Sequence, residues 1–182
     1  MQTRLDLYDN SEYNPGAGVV KRLSWFAINA LFLQNPINLS SGIKVGLLRL
    51  FGAKVGHKVT IKPSVNIKYP WLLEIGNHVW IGEEVWIDNL IKVKIGNHVC
   101  ISQGAMLLTG SHNYKVSTFD LITNEINLEN GVWIGAKSVV CPGVTCHENS
   151  VLAVGSVATK HMEKNGIYQG NPAILKRQRV FN

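Results

Sequence analysis

The chain has 182 residues, of which 46% are hydrophobic and 16% charged, and this predicts one soluble domain with a sizeable core. Its formal net charge is +6, but the basic residues are dispersed as far as the terminal LKRQR and form no stripe with interleaved aromatic residues, which disfavours nucleic acid as a partner. Three cysteines without a CxxC spacing favour small buried residues in a reducing compartment, so we expect a cytoplasmic protein.

The first 54 residues lie outside any repeat. Residues 1–18 are polar and contain Gly and Pro, which predicts an extended arm. Residues 19–50 carry apolar residues at helical spacing, and Pro36 divides them into two candidate helices. Because a terminal coil of a repeat protein exposes its hydrophobic face, we expect residues 1–54 to form an arm and capping helices.

Residues 21–33 also allow a second interpretation. The apolar run is too short to span a bilayer, but its composition suits peripheral contact with the inner face of a membrane. The basic and aromatic residues that would make this contact are Lys21, Arg22, Trp25, Phe26 and Phe32. Both interpretations stay open, and a membrane contact would favour a lipid-linked substrate.

From Val55 onward, an aliphatic residue returns every six positions. The series contains Val55, Ile61, Ile67, Ile75, Ile81, Ile87, Ile95, Ile101 and Leu107, and it resumes with Leu128, Ile134, Val140, Cys146, Leu152 and Ala158. This period fits neither an α-helix nor an alternating strand. It predicts a parallel β-helix in which three hexapeptides make one coil. A β-sandwich has no reason to keep such a register over a hundred residues or so.

The repeat sets the expected boundaries. We predict the β-helix over residues 55–163 and a C-terminal tail with a GNPA turn over residues 164–182. Glycines that follow the aliphatic position, such as Gly76 and Gly135, are expected where the backbone bends.

The six-residue period fails once, and we place the site there. Residues 107–112 are expected to complete a coil, and residues 113–127 to form a loop excursion. Long excursions from a regular scaffold are usually functional or disordered. His112 stands at this break, whereas His57, His78 and His98 fall at regular repeat positions. A histidine at such a place is a candidate general base.

Three segments carry a resemblance to a known family. They are ISQGAMLLTGSHNY (101–114), VWIGAKSVVCPGVTCHENSVLAVGSVATK (132–160) and YQGNPAILKR (168–177). The chain resembles the hexapeptide-repeat acetyltransferases with a left-handed parallel β-helix, within the maltose/galactoside group, and closest to the colanic-acid-type exopolysaccharide enzymes. The resemblance implies direct acetyl transfer from acetyl-CoA to a sugar hydroxyl, with no metal required. It also implies a homotrimer with active sites between adjacent subunits.

The resemblance assigns roles to individual residues. His112 would deprotonate the acceptor hydroxyl, and Trp133 would pack near the thiol end of CoA. The other expected CoA-binding residues are Gly135, Ala136, Ala153, Gly155, Thr159, Lys160, Asn171, Pro172, Ala173, Lys176 and Arg177. The expected acceptor-binding residues are Asp88, Asn89, Asn113 and Tyr114, with Glu84 a weaker candidate. For the Asp-Asn pair a plain turn is the alternative interpretation.

Two functions of other classes stay open at this stage. One is a metal-dependent hydratase of the γ-carbonic-anhydrase type, since His78 and His98 recur at one repeat position. The other is a non-catalytic β-helical scaffold. For the acetyltransferase, the acceptor is a sugar, a nucleotide-sugar or a lipid-linked oligosaccharide of surface polysaccharide assembly.

Overall fold

The structure, a computed structural model, describes residues 2–181. Met1 and Asn182, the outermost residues of the predicted segments 1–54 and 164–182, lie outside this range. Among the described residues, no helix has both the length and the apolar character needed to cross a bilayer.

Short strands from successive coils stack into three parallel sheets, called A, B and C in the order in which each coil visits them. The first three coils supply β1 (Lys54–Val55), β2 (Thr60–Ile61), β3 (Asn66–Ile67), β4 (Leu73–Ile75), β5 (Trp80–Ile81), β6 (Trp86–Asp88), β7 (Val93–Ile95), β8 (Cys100–Ile101) and β9 (Met106–Leu108). An antiparallel hairpin of β10 (Gly110–His112) and β11 (Leu121–Thr123) follows. The coils resume with β12 (Ile126–Leu128), β13 (Trp133–Ile134), β14 (Val139–Val140), β15 (Thr145–Cys146), β16 (Val151–Leu152) and β17 (Val157–Ala158). The chain ends in β18 (Gly166–Gly170), which pairs parallel to β16, and the antiparallel β19 (Ala173–Gln178).

The predicted left-handed parallel β-helix of hexapeptide repeats is therefore confirmed. Residues of the six-residue series stack in register, so Ile61, Ile81, Ile101, Ile134 and Leu152 form one column in sheet B. All five are completely buried. Each coil thus places one aliphatic side chain inward on each face, and the stack forms a continuous core.

The glycines follow the aliphatic positions for a reason other than the one predicted. Gly76 and Gly135 do not take the left-handed conformation, which falls instead on residues such as His78, His98 and Lys137. A Cβ added to Gly135 would lie 2.6 Å from the backbone nitrogen of Val154 in the next coil. These glycines are required because the coils approach closely, and the bends are made by other residues.

A helical cap covers the exposed edge of the first coil. Helix α1 (Val19–Ile28) continues as a π-helical turn (Asn29–Leu33), and α2 (Ser41–Leu50) begins at the N-cap Ser40. Short 3₁₀ turns also occur at Leu5–Leu7 and Pro70–Leu72.

Three side chains of the cap satisfy carbonyls of the first coil. Trp25 Nε1 donates to Ile67 O at 2.8 Å, Lys44 Nζ to Ile61 O at 3.3 Å, and Arg49 Nη2 to Val55 O at 2.9 Å. These carbonyls belong to the inward positions of β1, β2 and β3. The cap therefore covers the unpaired sheet edge that the first coil would otherwise expose.

The excursion differs from the prediction at both ends. Gly110–His112 does not complete a coil, because it pairs with Leu121–Thr123 in the hairpin. The chain rejoins sheet A at Ile126. The excursion therefore covers residues 110–125, whereas residues 113–127 were predicted. His112 consequently lies on a strand of the hairpin, where backbone pairing holds it.

Candidate functional site

The imidazole of His112 has a defined tautomer in its neutral form. Its Nδ1 lies 2.8 Å from the carbonyl oxygen of Phe119 across the hairpin. A carbonyl only accepts hydrogen bonds, so Nδ1 carries the proton and donates. Nε2 is then left with a free lone pair, which is the arrangement that a general base requires.

Two aromatic rings hold the imidazole in place. The Phe119 ring stacks on it with 4.3 Å between centroids and 6° between planes. Tyr8 of the N-terminal arm meets it edge-on at 5.6 Å. The arm is tied to the hairpin nearby, since the Arg4 amide donates to Ser117 O at 2.7 Å. The contact of Tyr8 was not predicted, because contacts between an arm and a distant hairpin leave no periodic signal in a sequence.

The hairpin is anchored to the coil beneath it through Thr109. This side chain is completely buried, donates to Asp88 O at 2.9 Å and accepts from the Leu90 amide at 2.8 Å. Thr109 therefore fixes the strand that carries His112 against the Asp-Asn segment of the preceding coil.

Of the two residues in that segment, only Asp88 suits a ligand. Its carboxylate forms an ion pair with Lys68 Nζ at 2.9 Å, and 19% of the Asp88 side chain stays accessible. Asn89 is completely buried, accepts from the Tyr69 amide at 3.0 Å and donates to Tyr69 O at 2.6 Å. Asn89 therefore holds two coils together, and its geometry does not support the predicted contact with an acceptor.

The remaining acceptor candidates stand near the base. Asn113 follows His112, and its Oδ1 accepts from the Lys115 amide at 3.2 Å. Tyr114 is 78% exposed and can turn toward a ligand. Glu84 is exposed and takes a left-handed turn conformation at a corner of the coil. The structure thus places Asn113 and Tyr114 beside His112, with Asp88 beneath the strand that leads to it.

A cavity beside Asp88 extends toward the helical cap. Its volume is about 490 Å³. Apolar residues of α1 form one wall, and the outward residues of β3 and β6 form the other. The lining residues include Leu23, Trp25, Phe26, Lys68, Trp86 and Asp88.

A second cavity brings together five of the predicted CoA-binding residues. It has a volume of about 600 Å³ and lies along sheet B and the C-terminal strands. The five residues are Trp133, Gly135, Ala136, Ala153 and Arg177. Trp133 forms its wall, with 47% of the side chain exposed and its Nε1 donating to Ser102 Oγ at 2.9 Å. Ser102 and Arg179 also line this cavity and were not predicted from the sequence.

The expected backbone contacts to the cofactor need revision. The amides of Gly135, Ala153 and Gly155 already donate to Leu152 O, Tyr168 O and Ala136 O of neighbouring coils. These bonds build the ladder and cannot be released without opening it. Any contact between a ligand and these three residues must therefore use their carbonyl oxygens or van der Waals packing.

The other predicted CoA-binding residues lie apart from this cavity. Thr159 and Lys160 line a separate depression of about 480 Å³ together with Pro142, Gly143, Val144 and His161. Asn171 and Pro172 form the turn between β18 and β19, Ala173 is the first residue of β19, and Lys176 is exposed on the same strand. Within one chain, neither His112 nor any acceptor candidate lines the cavity that holds Trp133.

Neither the cysteines nor the histidine column offers a different catalytic group. Burial raises the pKa of all three thiols, to about 12 for Cys146, so they are protonated at neutral pH. His78 and His98 stack face to face, with 4.9 Å between ring centroids and 5° between planes, instead of converging on a point. Among residues 2–181, no group of three or more His, Cys, Asp or Glu side chains is placed to hold a metal ion.

Comparisons with known proteins agree with the fold. No family model matches the chain. It is 37% identical over 166 residues to the putative colanic acid biosynthesis acetyltransferase WcaF of Escherichia coli K12, which covers 91% of each chain. It is 30% identical over 135 residues to the galactoside O-acetyltransferase of the same strain, covering 72% of this chain and 66% of that one.

Solved structures show the same architecture. A hexapeptide-repeat acetyltransferase from Vibrio cholerae complexed with acetyl coenzyme A superposes with a TM-score of 0.80 at 24% identity, covering 91% of this chain and 92% of that one. A galactoside acetyltransferase in complex with coenzyme A gives a TM-score of 0.76 at 26% identity, covering 87% and 80%.

Proposed function

We propose a specific reaction for this chain, which belongs to the hexapeptide-repeat acetyltransferase family that includes the colanic acid biosynthesis and galactoside O-acetyltransferases. It transfers the acetyl group of acetyl-CoA directly to a hydroxyl of a sugar, in the assembly of an exopolysaccharide or another surface polysaccharide. The acceptor is a free sugar, a nucleotide-sugar or a lipid-linked oligosaccharide.

The observation that carries this proposal is the fixed tautomer of His112. Its free Nε2 accepts the proton of the acceptor hydroxyl as the oxygen attacks the thioester carbonyl. The tetrahedral intermediate then collapses and expels the CoA sulfur, which takes the proton back from the imidazolium. The Phe119 carbonyl stabilises the imidazolium through Nδ1, since its partial negative charge faces the ring nitrogen at 2.8 Å.

The cavity along sheet B supplies the cofactor side of the reaction. Trp133 offers an exposed apolar face for the thiol end of CoA. Arg177 and Arg179 line the same cavity and would meet the phosphates. Because the three thiols are protonated at neutral pH, they do not compete as nucleophiles, and this supports direct transfer without a covalent enzyme intermediate.

A homotrimer is part of the proposal. Within one chain, His112 does not line the cofactor cavity. A complete site therefore needs a second copy of the chain that brings its His112 to this cavity. In that arrangement His112 of one subunit faces the cavity of its neighbour. Acceptor residues Asp88, Asn113 and Tyr114 then lie on the same side as the base. We place the enzyme in the cytoplasm, with a peripheral contact to the membrane through residues 21–33.

Calorimetric titration with CoA tests the cofactor half of the proposal. The wild-type chain should bind CoA. The variant Trp133→Ala should bind it roughly tenfold more weakly, because it lacks the apolar surface of the indole ring. Absence of CoA binding by the folded wild-type chain would sink the acetyltransferase proposal. A screen of sugar acceptors with acetyl-CoA, followed by thiol release, then identifies the acceptor.

A further inference from the structure

The helical cap exposes far more apolar surface than its contact with the first coil requires. In α1 the outward residues lie three and four positions apart, which makes one face of a helix, and a further one follows in the π-helical turn. They are Val19, Val20, Leu23, Phe26 and Leu31, and each has at least 59% of its side chain exposed. Ile37, Leu39, Ile43 and Leu50 extend this surface through the connection and along α2, with exposures from 50% to 85%.

The same region of the chain has an unusual charge distribution. From Tyr13 to Leu73 there is no Asp or Glu. Eight basic residues fall in this stretch: Lys21, Arg22, Lys44, Arg49, Lys54, Lys58, Lys62 and Lys68. The rest of the chain has ten basic and twelve acidic residues, so the formal charge of +6 comes from the cap and the first coil.

Part of this positive charge is not neutralised inside the protein. Lys54, Lys62 and Lys68 form ion pairs with acidic residues of the second coil. Lys44 is buried against carbonyls of the first coil. Within residues 2–181, no ion pair is recorded for the other four basic residues, Lys21, Arg22, Arg49 and Lys58.

We propose that the outward face of the cap, formed by α1, the 34–40 connection and α2, docks on an anionic lipid bilayer. An apolar helical face beside Lys and Arg side chains that form no ion pair is the pattern of a helix that lies in the membrane interface. A second copy of the same face does not fit as the occupant, because two acid-free basic surfaces would repel each other. This face also lies at the end of the β-helix, whereas the interfaces of the proposed trimer lie along the sides of the β-helix.

This docking extends beyond the contact through residues 21–33, and it bears on the acceptor. The cavity of about 490 Å³ is lined by Leu23 and Phe26 of the docking face and by Asp88 of the acceptor region. A bilayer against the cap therefore lies beside the acceptor region. This consequence rests on the proposed function, whereas the docking itself does not.

Flotation of the full-length chain with lipid vesicles tests the docking. Vesicles of phosphatidylcholine alone are compared with vesicles that also contain phosphatidylglycerol, at low and high salt. We expect binding to the anionic vesicles, weaker binding at high salt, and little binding to the neutral ones. The double variant Leu23→Ser/Phe26→Ser should bind about a hundredfold more weakly, because two exposed apolar side chains no longer enter the interface.

A matched control removes apolar surface from the other end of the molecule. Val180 and Phe181 are 81% and 60% exposed, and Val180→Ser/Phe181→Ser should bind vesicles like the wild type. Lys21→Gln/Lys58→Gln should lose part of the preference for anionic vesicles. Equal binding of the Leu23/Phe26 variant and the wild type overturns the proposal. The proposal is also overturned if the wild type does not bind vesicles and the Leu23/Phe26 variant instead changes its oligomeric state.

The vesicle assay contains no acetyl-CoA, so its outcome is separate from that of the CoA titration. A chain that binds anionic vesicles but not CoA keeps the docking and loses the acetyltransferase proposal. The converse result keeps the acetyltransferase and removes the docking.

Discussion

Replacing His112 with Asn separates the chemical role of its ring from the structural one. The Asn side-chain nitrogen takes roughly the place of Nδ1, so the variant can still donate to Phe119 O, but it has no nitrogen lone pair where Nε2 was. Loss of a general base costs about 10²–10⁴-fold in rate. We therefore expect turnover in His112→Asn to fall by that factor, equal to about 3–5 kcal/mol in the activation free energy.

The matched variant His112→Ala removes the base and the hydrogen bond together. Its turnover should fall as far as that of the Asn variant, and its free energy of unfolding should fall by about a further 1 kcal/mol for the lost bond. Thiol release with acetyl-CoA and the identified acceptor measures turnover, and calorimetry measures CoA affinity, which should change little in either variant. Wild-type turnover in His112→Asn would refute the assigned base. A loss of CoA affinity as large as the loss of turnover would instead make His112 part of the cofactor site.

Three further substitutions test the scaffold. Trp25→Phe keeps a buried ring but leaves Ile67 O without its donor, so urea denaturation should show a loss of about 1–3 kcal/mol in unfolding free energy. Gly135→Ala places a methyl group 2.6 Å from backbone of the next coil and should cost about 1–3 kcal/mol, whereas Gly46→Ala meets open space on a helix and should not lower the melting temperature. Hydrogen bonds from two lysines hold the pKa of Glu74 below its usual value, so its stabilising contribution is present above the unfolded pKa and is lost as pH falls through the folded one. In an acid titration, the free energy of unfolding of Glu74→Gln should therefore fall less steeply below about pH 4.5 than that of the wild type.

The sequence predicted the scaffold well because its signal is periodic. A residue such as Ile81 meets Ile61 and Ile101 in neighbouring coils, and each pair is twenty positions apart, so local spacing and spatial contact carry the same information. The interruption of the period also located the hairpin that carries His112. The start of the excursion was predicted three residues too late, because antiparallel pairing of Gly110–His112 with Leu121–Thr123 leaves no trace in a six-residue period.

Contacts that do not follow the period could not be predicted. Tyr8 reaches His112 only because the arm folds back over the hairpin, and no spacing in the sequence encodes that return. Which candidate residues share a cavity is similarly a matter of three-dimensional packing: Arg177 joins the cavity at Trp133, whereas Lys160 lines a different one.

The bonding of Asn89 between coils had a signal in the sequence. Asn89 bonds to Tyr69, twenty positions earlier, just as Asn77 Oδ1 accepts from the His57 amide and Asn97 Oδ1 from the Asn77 amide. A polar residue in register with the coil spacing is therefore a candidate for linking coils before it is a candidate for binding a ligand. Asp88 also pairs with a residue twenty positions earlier, Lys68, but unlike Asn89 it stays partly exposed and lines a cavity, so it remains the better acceptor candidate.

The regular part of this fold has little capacity left for recognition. The amides of Gly135, Ala153 and Gly155 are committed to neighbouring coils, so at these positions the repeats can offer a ligand only carbonyls and side chains. Features that distinguish this chain within its family should therefore lie where the repeat is absent: the arm and hairpin around His112, and the acid-free cap at the end of the β-helix. Specificity for an acceptor and placement at a membrane can then change without any cost to the core.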